Sequence, residues 1–144
     1  MKKPTGKLYT SNPQGLRYLK EDAELLQITR AGADLPNTTV VKELSPSPYL
    51  FKLFVNEWKG KPAEQWWDNY KERFNEELKN ETKLIGLRYV YKKLLAGNNV
   101  VLICFCSDHR ICHRKLVGGE FFKTYGGVKV LELNPVKQDQ LSLF

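Results

Sequence analysis

Asn98-Asn99-Val100-Val101-Leu102-Ile103-Cys104-Phe105-Cys106-Ser107-Asp108-His109-Arg110-Ile111-Cys112-His113-Arg114-Lys115-Leu116-Val117-Gly118 is the stretch that decides the fold. Val100 to Phe105 is an unbroken apolar run rich in β-branched residues, which predicts a strand buried on both faces. Ser107-Asp108 interrupt it, and apolar spacing resumes after Ile111 at Leu116, Val117 and Phe121. The order is strand, short loop, helix. All three cysteines and both histidines of the chain lie in this one turn. Ligands of open parallel sheets bind beyond the carboxyl ends of the strands, so a chemical site is expected here.

Composition sets the outer bounds. A chain of 144 residues is long enough to bury a real core. The reading is one α/β domain over 1–134 and a polar, flexible tail over 135–144. No apolar run reaches the length of a membrane span, and Met1–Pro4 lacks the apolar region of a secretory leader. Three clustered cysteines do not form a disulfide framework, which points to a reducing cytoplasm. The net charge of +7 and pI near 9.3 favour anionic partners, DNA or nucleotides among them, and not a membrane. Nothing in the composition reads on oligomeric state.

Outward from the central stretch, Lys7–Ser11 reads as a first strand ending at Asn12-Pro13, followed by a helix from about Gly15 to Ala23. A second strand runs Leu25–Thr29. Ala33–Pro48 carries three prolines and reads as a loop with a brief strand at Thr38–Val41. Helices follow at Tyr49–Trp58, from Pro62 to about Asn80, and from Thr82 to Gly97-Asn98. After the central strand and a helix reaching Tyr125, Val128–Leu133 forms the last strand. Strands separated by helices argue for a three-layer fold with a mainly parallel sheet of four strands, or five with the brief one. The expected order is second, first, central, last.

Several chemistries fit the central turn. Cys104, Cys106, Cys112 and His113 supply the sulfur and nitrogen ligands of a structural zinc, although not at paired Cys-x2-Cys spacing, and the working reading has no metal. Cys104-x5-Arg110 has the spacing of thiol phosphatases, but Ile111 suits a helix start better than Arg110 does. In the third reading, amides at a helix N-terminus and Arg114 bind an anion, with Cys112 and His113 as nucleophile or proton-transfer groups. The plain counter-reading makes Cys104 a small core residue and gives Arg114 a carboxylate partner. The catalytic candidates are Cys112, His113 and Arg114; Thr10, Ser11, Asn12, Arg30 and Cys104 are the candidates for substrate or anion binding. Trp66, Trp67 and Tyr70 fit a core helix, with base stacking as the other use.

Cys104-x7-Cys112-His113-Arg114 behind an apolar strand resembles the signature of the domain of unknown function 488 family. Leu8-Tyr9-Thr10-Ser11-Asn12 is similar to its first strand, Ile28-Thr29-Arg30 to its second, and Leu44-Ser45-Pro46 to its Leu-Ala-Pro segment. With the Tyr70 helix, the resemblance covers roughly 7–125. It departs at Cys106, where members commonly carry an acidic residue, and at Leu35-Pro36-Asn37-Thr38, which replaces a Pro-Lys-Trp segment. The resemblance implies a three-layer α/β fold with a polar pocket and names no reaction.

Gln140-Leu141-Ser142-Leu143-Phe144 matches the peptide by which bacterial proteins hold the DNA sliding clamp. Leu143 and Phe144 would fill an apolar pocket while the Gln140 amide bonds at its rim. Asn134–Asp139 is a polar tether. The clamp is therefore the expected partner, with DNA repair, replication or nucleotide metabolism as the setting. A non-enzymatic protein that occupies the clamp against other clients is the alternative.

Overall fold

A computed structural model describes residues 3–30, 32 and 34–136. Five strands form one parallel sheet: β1 (Leu8–Ser11), β2 (Glu24–Gln27), β3 (Thr39–Val40), β4 (Val100–Ile103) and β5 (Val130–Glu132). Helical connections surround it: α1 (Pro48–Leu53), α2 (Trp67–Glu77), α3 (Glu81–Leu95) and α4 (Lys123–Tyr125). This is the expected three-layer α/β class.

The strand order is β3-β2-β4-β1-β5. The expected order is wrong in one respect: the central strand lies between the first and second strands, not outside the first. The cause is compositional. Every side chain of β4 is buried and apolar, which suits the middle place among the five strands, whereas the expected order sets it directly beside the edge strand. β1, which carries the polar Thr10 and Ser11, takes the place beside the edge strand β5, where Leu131 is 41% exposed.

Alternation along the strands builds two unequal layers. Leu8, Leu26, Ile28, Val100 and Leu102 face α2, α3 and the helical turns of 115–122, in the larger core. Tyr9, Val101 and Ile103 face the opposite way, against Leu16, Leu19, Leu25 and Leu133. That second layer is thin. The helix expected over Gly15–Ala23 is only a six-residue 3-10 turn, Pro13–Tyr18. Asn12 explains its start, because its side chain accepts from the Gly15 amide at 3.0 Å and Pro13 needs no amide partner there.

Local chemistry sets the long helices. Asn80 caps α3 by accepting from the Lys83 amide at 2.9 Å, worth about 1 kcal/mol, and Gly97 ends it at φ +90°. Ser47 caps α1 in the same manner, with Pro48 at its first position. After the cysteine turn the backbone is wound as a π-helix over Lys115–Phe122. It crosses β1 at Gly118, where a Cβ would stand 2.5 Å from Thr10 Cγ2. Glycine is what lets this segment lie directly on the sheet. None of the described helices is long and apolar enough to cross a membrane.

Candidate functional site

Register brings the site together. Ser11 and Gln27 both lie level with Ile103, so β1, β2 and β4 end side by side. The Cys104 amide donates to Ser11 O at 3.0 Å, and the Ile28 amide to Ile103 O at 2.9 Å. Cys104 therefore emerges between Asn12 and Thr29 at the carboxyl edge of the sheet. The chain then loops through Cys106 and a short 3-10 turn, His109–Ile111, and returns Cys112 beneath Cys104.

The three sulfurs converge. Cys112 Sγ is 2.9 Å and Cys106 Sγ 3.7 Å from Cys104 Sγ, and all three lie within 4.8 Å of one another. Cys104 and Cys112 are buried; Cys106 sits at the mouth with its thiol turned inward. His113 completes the cluster with Nδ1 at 3.7 Å from Cys104 Sγ. Its Nε2 lies against the Ile28 carbonyl, so Nε2 carries the proton and donates it. That leaves the Nδ1 lone pair facing the sulfurs. Burial lowers the His113 pKa, which keeps the ring neutral. The Cys106 and Cys112 thiols directed at Cys104 hold its pKa well below the usual cysteine range. Cys112 is pushed up by burial, and Cys106 is pushed up to about 11 by its bond to Cys104.

A cavity of about 200 Å³ opens onto this cluster. Its walls are aromatic, with Phe51, Phe54, Trp66, Tyr70 and Phe105, and Arg30 and Thr29 line it beside the cysteines and His113. Trp66 and Phe54 meet edge to face at 5.2 Å, and Tyr70 stacks on Phe74, which leans on His113 at 5.7 Å. Trp66 is thus buried and also a wall, while Trp67 is half-buried and stacks on Tyr70.

The expected catalytic and binding residues separate into two groups. Arg30, Cys104, Cys112 and His113 line the cavity; Thr10, Ser11, Asn12 and Arg114 are not among its lining residues. These four instead knit the loops from behind. Arg114 is 0% exposed, and its Nε and Nη2 donate to the Glu132 carboxylate at 2.9 and 3.3 Å. Its Nη1 donates to Cys106 O at 2.8 Å and lies 3.7 Å from Cys112 Sγ. Thr10 donates to the same carboxylate at 2.8 Å. The Ser11 hydroxyl donates to Asn12 O at 2.7 Å, while Asn12 Nδ2 donates to Cys106 O at 3.3 Å. Arg114 thus has the carboxylate partner of the plain reading, yet it also shapes the cysteine turn. The phosphatase arrangement is not formed, because Arg110 turns away onto Asp108 through two bonds of 3.0 and 2.8 Å.

Two further groups escape sequence reasoning. Glu132 sits on an edge strand, where its acidic character alone predicts exposure. Lys83 is 2% exposed on α3, paired with Glu77 at 3.4 Å over the Phe74 ring, and Glu77 also receives the Ser47 amide at 3.0 Å. Neither burial has a signal in residue pattern. Past β5, Asn134 Nδ2 donates to Asn12 Oδ1 at 2.9 Å, and the Val136 amide to His109 Nδ1 at 3.3 Å. The chain therefore leaves β5 beside the cysteine loop. The clamp-type peptide, Gln140, Leu141, Ser142, Leu143 and Phe144, lies outside the described residues, as does most of the expected tail.

Fold and site together define a parallel α/β domain with a cysteine-histidine pocket at the carboxyl edge of its sheet. The sequence model of the active DUF488-N3 subclade matches residues 8–126, most of the chain. The protein belongs to this family, a domain of unknown function. No curated protein and no solved structure gives a significant match.

Proposed function

We propose that the domain is a thiol-dependent enzyme acting on nucleotides or nucleic acid, held at the bacterial DNA sliding clamp by Gln140–Phe144. The observation that carries the chemistry is the placing of Cys104 Sγ at the floor of a ligand-sized cavity, 3.7 Å from a histidine nitrogen whose lone pair is free. In this reading Cys104 is the nucleophile and His113 the base that takes its proton, a pairing that activates thiols generally. Cys112 supports the thiolate from below. Arg114 is a positioning residue, because its guanidinium is spent on Glu132 and on the Cys106 carbonyl. The basic charge and the clamp peptide support nucleic acid or its precursors as the substrate class and the cytoplasm as the place.

Alkylation by iodoacetamide, mapped by mass spectrometry, tests the nucleophile. Cys104 should be modified first at pH 7 although Cys106 is the more exposed. Labelling confined to Cys106 would remove the enzyme reading and leave a binding protein that occupies the clamp. Titration of clamp with intact protein and with a chain truncated after Asp139 tests the tether. Loss of binding on truncation is expected, and equal binding by both, or by neither, ends that part.

The sulfur geometry favours one second reading, a structural zinc held by Cys104, Cys106, Cys112 and His113. The 3.7 Å between Cys104 and Cys106 Sγ suits two sulfurs on one tetrahedral ion, which stand about 3.8 Å apart. The free Nδ1 of His113, with Nε2 fixed by a carbonyl, is the arrangement of a ligating histidine. The 2.9 Å contact between Cys104 and Cys112 would have to widen. About one equivalent of zinc in purified protein, with melting lowered by chelation, selects this reading.

A further inference from the structure

The thiol chemistry leaves two polar groups of the cavity unused. Tyr70 is 6% exposed and lines the cavity, yet its hydroxyl has no hydrogen-bond partner among the described residues. Among the described residues no fully buried side-chain oxygen or nitrogen lacks a partner, so this hydroxyl is not sealed in but opens on the cavity that Tyr70 lines. Arg30 uses Nε on Pro46 O at 2.9 Å, and its two terminal amino groups have no carboxylate in ion-pair reach among the described residues. A hydroxyl placed in this way is free to bond a ligand that displaces water from the cavity.

Size and donor count then select the ligand. A cavity of roughly 150 Å³ accepts benzene, so about 200 Å³ accommodates one six-membered ring with its exocyclic atoms, and the second ring of a purine would have to stand at the rim. Phe54 and Trp66 supply flat walls for such a ring. Arg30 offers only donors, and the Tyr70 hydroxyl can donate beside it, so a ring that carries carbonyl oxygens suits both. We propose that the cavity receives a pyrimidine ring of the uracil or thymine type. Tyr70 and Arg30 bond its carbonyls, and the ring lies over Cys104. Any sugar and phosphate extend past the rim, where Phe105 is 40% exposed. This rests on the thiol reading and names its substrate class; the ring is supplied either by a free nucleotide or by a base turned out of a strand.

The test uses the full chain, with tryptophan fluorescence as the readout because Trp66 is a wall of the cavity. Uracil, deoxyuridine monophosphate and an eight-residue oligothymidylate are titrated in turn, with deoxyguanosine monophosphate as the size control. Saturable quenching by the pyrimidine probes, weaker with the purine, is expected, together with slower alkylation of Cys104 when a probe is bound. Tyr70→Phe keeps the ring and its stacking, so the fold should hold by circular dichroism, and binding should weaken about five- to tenfold for one lost hydrogen bond. Tighter binding of the oligonucleotide assigns a strand as the source, and tighter binding of the monophosphate assigns the free nucleotide; either supports the pocket. No quenching by any pyrimidine probe, or wild-type affinity in Tyr70→Phe, overturns the inference. If Cys104 is then still alkylated first, only the ligand assignment fails. If it is not, the thiol reading fails beneath it.

Discussion

Replacing Glu132 with leucine should be the most damaging single change behind the cysteine turn. Glu132 accepts two bonds from Arg114, one from the Thr10 hydroxyl and one from the Asn134 amide at 2.9 Å. The substitution strands a guanidinium that is 0% exposed, with only the Cys106 carbonyl and a distant sulfur left to it. Breaking a buried pair by removing one partner costs roughly 3–5 kcal/mol, a large share of a domain's total stability. For a chain of this length that is a fall in Tm of roughly 10–15 °C. Urea unfolding followed by tryptophan fluorescence measures it. The double variant Arg114→Met with Glu132→Leu removes both charges and should recover most of the loss, since apolar replacements of a buried pair are often neutral. A cost below about 1 kcal/mol for the single change, or no recovery in the double, would refute the claim that this pair clamps β5 to the cysteine turn.

Two other outcomes follow from geometry and from charge. Gly118→Ala should destabilise by roughly 1–3 kcal/mol, because its Cβ would stand 2.5 Å from Thr10 Cγ2; an unchanged urea midpoint would show that the segment can lift from β1 freely. His113 and His109 both have pKa values lowered from 6.5 by burial, so below about pH 6.5 the unfolded chain takes up protons that the fold refuses. Their contribution to stability should fall as the pH drops from 6.5 toward 5, and a midpoint constant over that interval contradicts the buried neutral rings.

Much of the fold is legible because burial leaves a pattern. The continuous apolar run of Val100–Ile103 identifies the central strand, and Asn80 and Gly97 bracket α3 within a residue or two of its ends. Strand order is less legible, since right-handed crossovers permit several orders in which the central strand has two neighbours, and only its wholly apolar character favours the middle place. The site is half legible. Clustering of the cysteines and His113 after a strand points to the turn, but the division between cavity wall and supporting network depends on where side chains point. Arg114 and Arg30 look alike in sequence, and only Glu132, brought from a distant edge strand, makes one of them structural. Lys83 and Glu77 are invisible for the same reason, because each satisfies the other's charge in a place that composition assigns to apolar residues.

The hydrogen bond from Val136 to His109 holds the last described residue beside the cysteine turn. Because all five strands run the same way, β5 releases the chain at the same end of the sheet as the thiol pocket. On the clamp reading, Gln140 lies four residues beyond Val136, a span of at most about 14 Å. On that reading so short a span would limit orientation as well as location. The pocket would be held toward the ring and the strand threaded through it, at an effective concentration in the millimolar range. A weak intrinsic grip on its substrate would then suffice, because the domain would meet DNA by attachment and not by diffusion.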